Sequence, residues 1–152
     1  MYNRNEVLRA IGRVMTRYAQ EKVNDYDADG VIGAAPLLKP WTAGTAETPI
    51  SYIVGDVRTC EGQPWRCSQA HVHYGEAGWE PVSSRALWVP YHATRPEYAL
   101  PYVIPTHAQD SYQTGEWMIW TDGQKYQALR DAVDRGPDEL PEAWEVGDGV
   151  QD

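Results

Sequence analysis

Apolar residues return at every third or fourth position near the start of the chain: Val7, Leu8, Ile11, Val14, Met15 and Tyr18, with charged side chains filling the gaps. That spacing puts them on one side of an α-helix over residues 4–24. Asn3 or Asn5 suits the cap, and Glu6 falls in the first turn, where an acid complements the helix dipole. Val7, Ile11, Val14 and Tyr18 also fit two heptads, fewer than an independent coiled coil uses. The helix therefore either packs on its own chain or joins other copies in a bundle, with a trimer favoured.

After residue 36 the helical period gives way to short alternating runs bounded by Gly, Pro and Asp. The stretch Ser51 to Trp88 is then written a second time from Ser111 to Trp144. Ser51-Tyr52-x-x-Gly55-Asp56-Val57 becomes Ser111-Tyr112-x-x-Gly115-Glu116-Trp117; the turn Glu61-Gly62 becomes Asp122-Gly123; Ala86-Leu87-Trp88 becomes Glu142-Ala143-Trp144. The offset is 60 residues at Gly55/Gly115, 61 at Gly62/Gly123 and 56 at Trp88/Trp144, as an indel in the last loop would leave it. Internal duplication makes each copy one structural unit. Tyr52 to Cys60 and Gln63 to Gln69 are expected to pair as a hairpin, with Gly55-Asp56 and Gly115-Glu116 as bends ahead of their strands. Asp122-Gly123 carries the stronger type I′ turn signal and Glu61-Gly62 the weaker.

These patterns predict a mainly β fold with an N-terminal α-helix and two small antiparallel three-stranded β-modules in tandem. The boundaries are 1–36 for the helix and an acidic turn or linker, 37–90 for the first module, 91–99 for a connector, 100–146 for the second module and 147–152 for an acidic, frayed tail. Asp25, Asp27, Asp29 and Gly30 match the first half of a calcium loop. Pro36 stands where its bidentate Glu is wanted, so an acidic solvated turn is the preferred reading. Gly33-Ala34-Ala35-Pro36 reads as a linker.

Composition narrows the chemistry. The 152 residues include no Phe, but seven Trp and ten Tyr. Modules of about 50 residues bury little surface, so some of these rings must be core. Trp65, Trp88, Trp117 and Trp144 are assigned there, and Trp120 fits either role. A net charge of −9 argues against nucleic acid and anionic lipid as partners. Met1-Tyr2-Asn3-Arg4-Asn5 has no signal-peptide pattern and no segment suits membrane insertion, which points to synthesis in the cytoplasm. Cys60 and Cys67, placed by the hairpin on the order of 13 Å apart along the strands, are expected as free thiols. His71 and His73 alternate on one strand face, yet no third zinc ligand follows at a suitable spacing. No nucleophile elbow, phosphate loop or Cys/His pair is present in a recognisable setting, so neither catalysis nor a cofactor is expected.

Trp41-x-x-Gly44-Thr45, Tyr52-x-x-Gly55-Asp56-Val57, Cys67-Ser68-Gln69-Ala70-His71, Gly78-Trp79-Glu80-Pro81 and Ala86-Leu87-Trp88 together resemble the chitin- and cellulose-binding modules of carbohydrate-binding families 5 and 12. They also resemble the tandem copies of that module in bacteriophage tail and head-fibre proteins. The likeness covers about residues 39–90 and thins over 100–146. It implies a short antiparallel sheet whose exposed Trp41 and Trp79 stack on sugar rings. Gln69-Ala70-His71 stands where some cellulose-binding members carry an adjacent Trp pair, and Gln69 and His71 suit hydrogen bonds to the sugar rim instead. The second copy has Tyr102 in place of Trp41 and Arg135 to Pro137 in place of Trp79, so its platform is expected to be lost. The function implied is a non-catalytic virion accessory protein that attaches to a polysaccharide or cell-surface glycan, with the helix binding other virion proteins or further copies. The competing reading is structural, with the modules as spacers or docking surfaces that bind no sugar.

Overall fold

A computed structural model of the chain describes residues 3–147. Helix α1 (Arg4–Lys22) begins at Asn3, whose side chain accepts from the Glu6 amide at 2.9 Å, while Glu6 accepts from the Asn3 amide at 3.2 Å. This reciprocal cap satisfies two amide groups that the first turn leaves unpaired. Among the described residues α1 buries Ala19 alone, and Ala19 and the following Val23 pack with Val31, Leu38 and Val57. Gln20 fastens that end, donating to the Val57 carbonyl at 3.1 Å and accepting from the Lys39 amide at 2.8 Å.

The acidic turn and linker expected over residues 25–36 are instead largely helical. Helix α2 (Ala28–Ala34) is capped by Asp27, which accepts from the Gly30 amide at 2.7 Å, and it buries Val31 and Ile32. A distant contact holds it. Asp29 is buried and accepts from the Thr94 amide at 2.7 Å, from the Thr94 hydroxyl and from Arg95 Nε at 3.4 Å. Burial opposes ionisation of Asp29, but the bonds from Thr94 and Arg95 outweigh it and hold the carboxyl below its ordinary range. Asp25, Asp27 and Asp29 are thus divided among a 3-10 turn, a helix cap and the Thr94 contact. They do not form the calcium loop, and among the described residues no three His, Cys, Asp or Glu side chains gather as a metal site.

The first module contains β1 (Ile50–Tyr52), β2 (Val57–Cys60), β3 (Gln63–Cys67), β4 (His71–His73) and β5 (Trp88–Pro90). Strands β2, β3 and β5 form a three-stranded antiparallel sheet, while β1 pairs with β4 in a separate antiparallel ribbon. The long hairpin arm expected from Tyr52 is therefore broken. At Gly55, with φ +96°, the chain turns, so that Tyr52 faces His71 and Val57 faces Arg66.

In the second module β6 (Leu100–Pro101), β7 (Trp117–Ile119), β8 (Lys125–Ala128) and β9 (Trp144–Val146) form one sheet of four strands rather than three. The addition is β6, which runs parallel to β7.

Of the two type I′ signals the weaker one is realised and the stronger one is not. Glu61 and Gly62 both have positive φ, 53° and 84°, and join the directly paired Cys60 and Gln63, which is the type I′ geometry. At Asp122-Gly123 only Gly123 has positive φ, and the Trp120 amide reaches on to the Gln124 carbonyl. Asp122 accepts from the Gln124 amide at 2.8 Å and the Tyr126 hydroxyl at 2.6 Å, which holds it in a wider turn.

The duplication extends to individual hydrogen bonds. Asp56 accepts from the Ile53 amide at 2.9 Å as Glu116 accepts from the Gln113 amide at 2.7 Å. Gly55 donates to the Cys67 carbonyl as Gly115 donates to that of Ala128, and the Cys67 and Ala128 amides answer to Asp56 and Glu116. Tyr52 meets Trp88 edge-on at 5.1 Å, and Tyr112 meets Trp144 at 5.3 Å. Tyr52 and Tyr112 also hold the segments carrying Trp41 and Tyr102 through their hydroxyls, to the Thr42 backbone and the Val103 amide.

Little slack separates the modules. Val89 and Pro90 belong to β5, and three residues later the Ala93 carbonyl accepts from the Trp117 amide of β7 at 2.8 Å. His92 stacks on Tyr112 at 3.8 Å. Buried Arg85 of the first module lies 3.4 Å from buried Asp110 of the second and donates to the Ile104 carbonyl at 2.7 Å.

Both cysteines are free thiols, as the hairpin register requires, and burial pushes both up from the ordinary thiol range. At the C-terminus, Gly147 is not frayed: it is buried against Trp117 and its amide bonds the Lys125 carbonyl at 2.8 Å. The rest of the expected tail, 148–152, lies outside the described residues.

Candidate functional site

Four aromatic rings of the first module form a row. Trp41 lies 5.2 Å from His73, His73 lies 6.0 Å from Trp79, and Trp79 lies 6.2 Å from His71, all centre to centre and tilted. Strand β4 supplies both histidines from one face, because side chains two apart on a strand point the same way. His71 also leans on Tyr52 and Trp88, which joins the row to the module core.

Each member is fixed by backbone bonds. Trp41 enters beside β2, with its amide bonded to the Thr59 carbonyl at 2.8 Å and Thr59 bonded back to Lys39. Trp79 follows the Ala77-Gly78 turn, which is closed by the Ser84 hydroxyl on the Gly78 carbonyl at 3.0 Å and by buried Pro81. His73 is buried between the Gly44 amide, which donates to Nδ1 at 2.9 Å, and the Glu76 carbonyl, which accepts from Nε2 at 2.9 Å. An Nδ1 that accepts must be unprotonated, so the proton of His73 sits on Nε2.

His71 has the opposite arrangement. Its Nδ1 lies 2.8 Å from the Gln69 carbonyl, which only accepts, so Nδ1 carries the proton. The residue is half-buried, and in the neutral ring its Nε2 is an acceptor with no hydrogen-bond partner among the described residues. Gln69 is exposed on the bend entering β4.

Of the sequence-predicted residues, the structure brings Trp41, Trp79 and His71 into one row and places Gln69 at its approach. Neither indole lies fully open. Trp41 and Trp79 are both half-buried, and the Trp41 Nε1 is buried without a hydrogen-bond partner among the described residues. The residue that sequence reasoning missed is His73, weighed only as a metal ligand. Its signal was the alternation of His71 and His73, which puts both rings under Trp79.

The second module has no equivalent row. Tyr102 occupies the place of Trp41, with its amide on the Ile119 carbonyl as Trp41 bonds Thr59, and Val133 pairs with Tyr112 where His71 pairs with Tyr52. Burial, followed by the Asp134, Glu139 and Asp138 carboxylates, pushes the Tyr102 phenol up to about 12. Trp120 stands edge-on to Tyr102 and covers Gly136, while the core residues Trp65, Trp88 and Trp144 are buried and Trp117 is half-buried over Gly147.

No family profile and no curated protein matches the chain. Among solved structures, a family GH18 chitinase from Chromobacterium violaceum is similar over 41% of this chain at 30% identity, with a TM-score of 0.30. The matched part spans 17% of that chitinase.

Proposed function

We propose that the chain is a non-catalytic glycan-binding accessory protein whose first module contacts a polysaccharide through the row Trp41, His73, Trp79 and His71. The supporting observation is the continuity of that row, with two half-exposed indoles spaced by a buried imidazole and ending at an unpartnered ring nitrogen. A pyranose presents C–H bonds on its flat faces and hydroxyls at its rim. An indole covers such a face without stripping water from the hydroxyls, and one of those hydroxyls donates to His71 Nε2 while Gln69 serves the edge. The virion setting, in a phage tail or head fibre, belongs to the same proposal and rests on the resemblance of the first module alone.

A spacer or docking role is the second reading, favoured by the fact that none of the described tryptophans is fully exposed. Titration with N-acetylglucosamine oligomers and retention on insoluble chitin and bacterial cell wall separate the two. Glycan binding predicts a shift in tryptophan fluorescence, loss of at least tenfold in retention for Trp79→Ala, and little change for Trp120→Ala. A wild-type protein that is retained on no member of a broad glycan panel overturns the proposal.

A further inference from the structure

Helix α1 leaves Val7, Leu8, Ile11, Val14, Met15 and Tyr18 exposed, each by between 43% and 63%. Such a stripe on one helix is an interface pattern rather than scattered surface hydrophobicity. At its C-terminal half the stripe runs into an apolar groove of about 340 Å³, where Met15 and Tyr18 face Tyr26, Ala34 and Leu37. The N-terminal half, with Val7, Leu8 and Ile11, has no such wall beside it among the described residues.

We infer that α1 pairs with α1 of a second copy in antiparallel orientation, so that the unwalled half of each helix lies on the groove of the other. Reading Arg4, Ile11 and Tyr18 as a positions and Val7, Val14 and Glu21 as d positions, an antiparallel pair sets a against d′. The layers are then Arg4 with Glu21 of the other copy, Val7 with Tyr18, and Ile11 with Val14, each occurring twice about the dyad. Leu8 and Met15 flank the seam on one side and meet each other. Every apolar residue finds an apolar one, and the only charged layer pairs opposite signs.

The charge pattern excludes the simple alternatives. In a parallel pair, or in a parallel form of the favoured trimer, Arg4 meets Arg4 and Glu21 meets Glu21, which is repulsive at both ends. The helix carries five basic side chains, Arg4, Arg9, Arg13, Arg17 and Lys22, against Glu6 and Glu21, but it is attached to a chain of net charge −9. That body disfavours an anionic bilayer as the cover for the stripe and is compatible with a second copy bringing a basic helix.

Sedimentation of the full chain tests this. Wild type is expected as a concentration-dependent dimer of the 17.2 kDa chain. Ile11→Asp, at a position already exposed in the monomer, is expected to give a monomer whose near-UV circular dichroism from the modules is unchanged. Arg4→Glu alone and Glu21→Arg alone are each expected to weaken the dimer about tenfold, and the double exchange is expected to restore it. A parallel assembly shows no such rescue, because like charges face each other in every variant. A monomer at all concentrations, a trimer, or failure of the double exchange overturns the inference. So does a monomer that floats with vesicles containing anionic lipid, which assigns the stripe to a membrane surface.

Discussion

Asp29 illustrates how much a single side chain decides here. Sequence places it in an acidic run that suits solvent or a cation, but its partner Thr94 lies 65 residues away, and no local pattern announces it. Because Asp29 is held below its ordinary value in the folded chain, its contribution to stability is complete above the unfolded carboxylate value of about 3.9. That contribution is lost as pH falls through the folded value. Asp29→Asn is therefore expected to reduce stability at pH 7 and to narrow its deficit against wild type below about pH 4, as urea midpoints across pH would show. The Asn3 cap, by contrast, was legible, because Asn3 and Glu6 are three residues apart and answer each other within one turn. Among the candidate site residues, Trp41 and Trp79 were readable from motif spacing. His73 was not, because its role depends on Gly44 and Glu76 gripping both ring nitrogens.

Among the elements, the loop carrying Trp41 and Gly44 determines whether the row exists. A Cβ added to Gly44 would fall 2.2 Å from the His73 carbonyl oxygen and 2.8 Å from the Ile50 amide nitrogen, both backbone atoms that cannot yield cheaply. Gly44→Ala is expected to cost about 1–3 kcal/mol and to disturb the His73 ring, read by denaturant unfolding and by the histidine resonances in NMR. Such close approaches lie between segments distant in sequence, which is why a hydrophobic pattern does not reveal them. The same reason separates the readable from the unreadable strands. Strands β2 and β3 were found because a two-residue turn sets their register, whereas β6 joins its sheet as a two-residue parallel edge with no periodicity to detect. The sequence of helix α2 reads as the end of an acidic turn through Gly30 and the start of a linker at Gly33-Ala34, yet Val31 and Ile32 are buried and Asp29 is held by Thr94.

At the scale of the whole molecule the two copies are joined too tightly to act as independent beads. Arg85 and Asp110 are both buried, and Asp110 also accepts from the Thr106 amide and hydroxyl. Removing one partner of a buried pair leaves the other without its counter-charge, at a cost of about 3–5 kcal/mol. Arg85→Met is thus expected to destabilise by that amount, and combining it with Asp110→Asn is expected to recover a large part of the loss. Wild type is expected to unfold in one transition, with near-UV circular dichroism and tryptophan emission giving the same urea midpoint. The duplication itself was legible because the Tyr-x-x-Gly-acid frame is local to each copy. How the copies meet was not, since Arg85 and Asp110 belong to no shared motif.

The amide of Gln20 gives the anchored end of α1 a further significance. Through Lys39 and Val57 it ties the helix to the segment that leads, within two residues, to Trp41, and Thr59 bonds both ends of that segment. A tether attached at the helix would thus hand tension to the aromatic row across several bonds strained together, rather than through a slack loop that unravels first. If the proposed glycan contact forms, a pull along α1 would therefore be felt at the row itself.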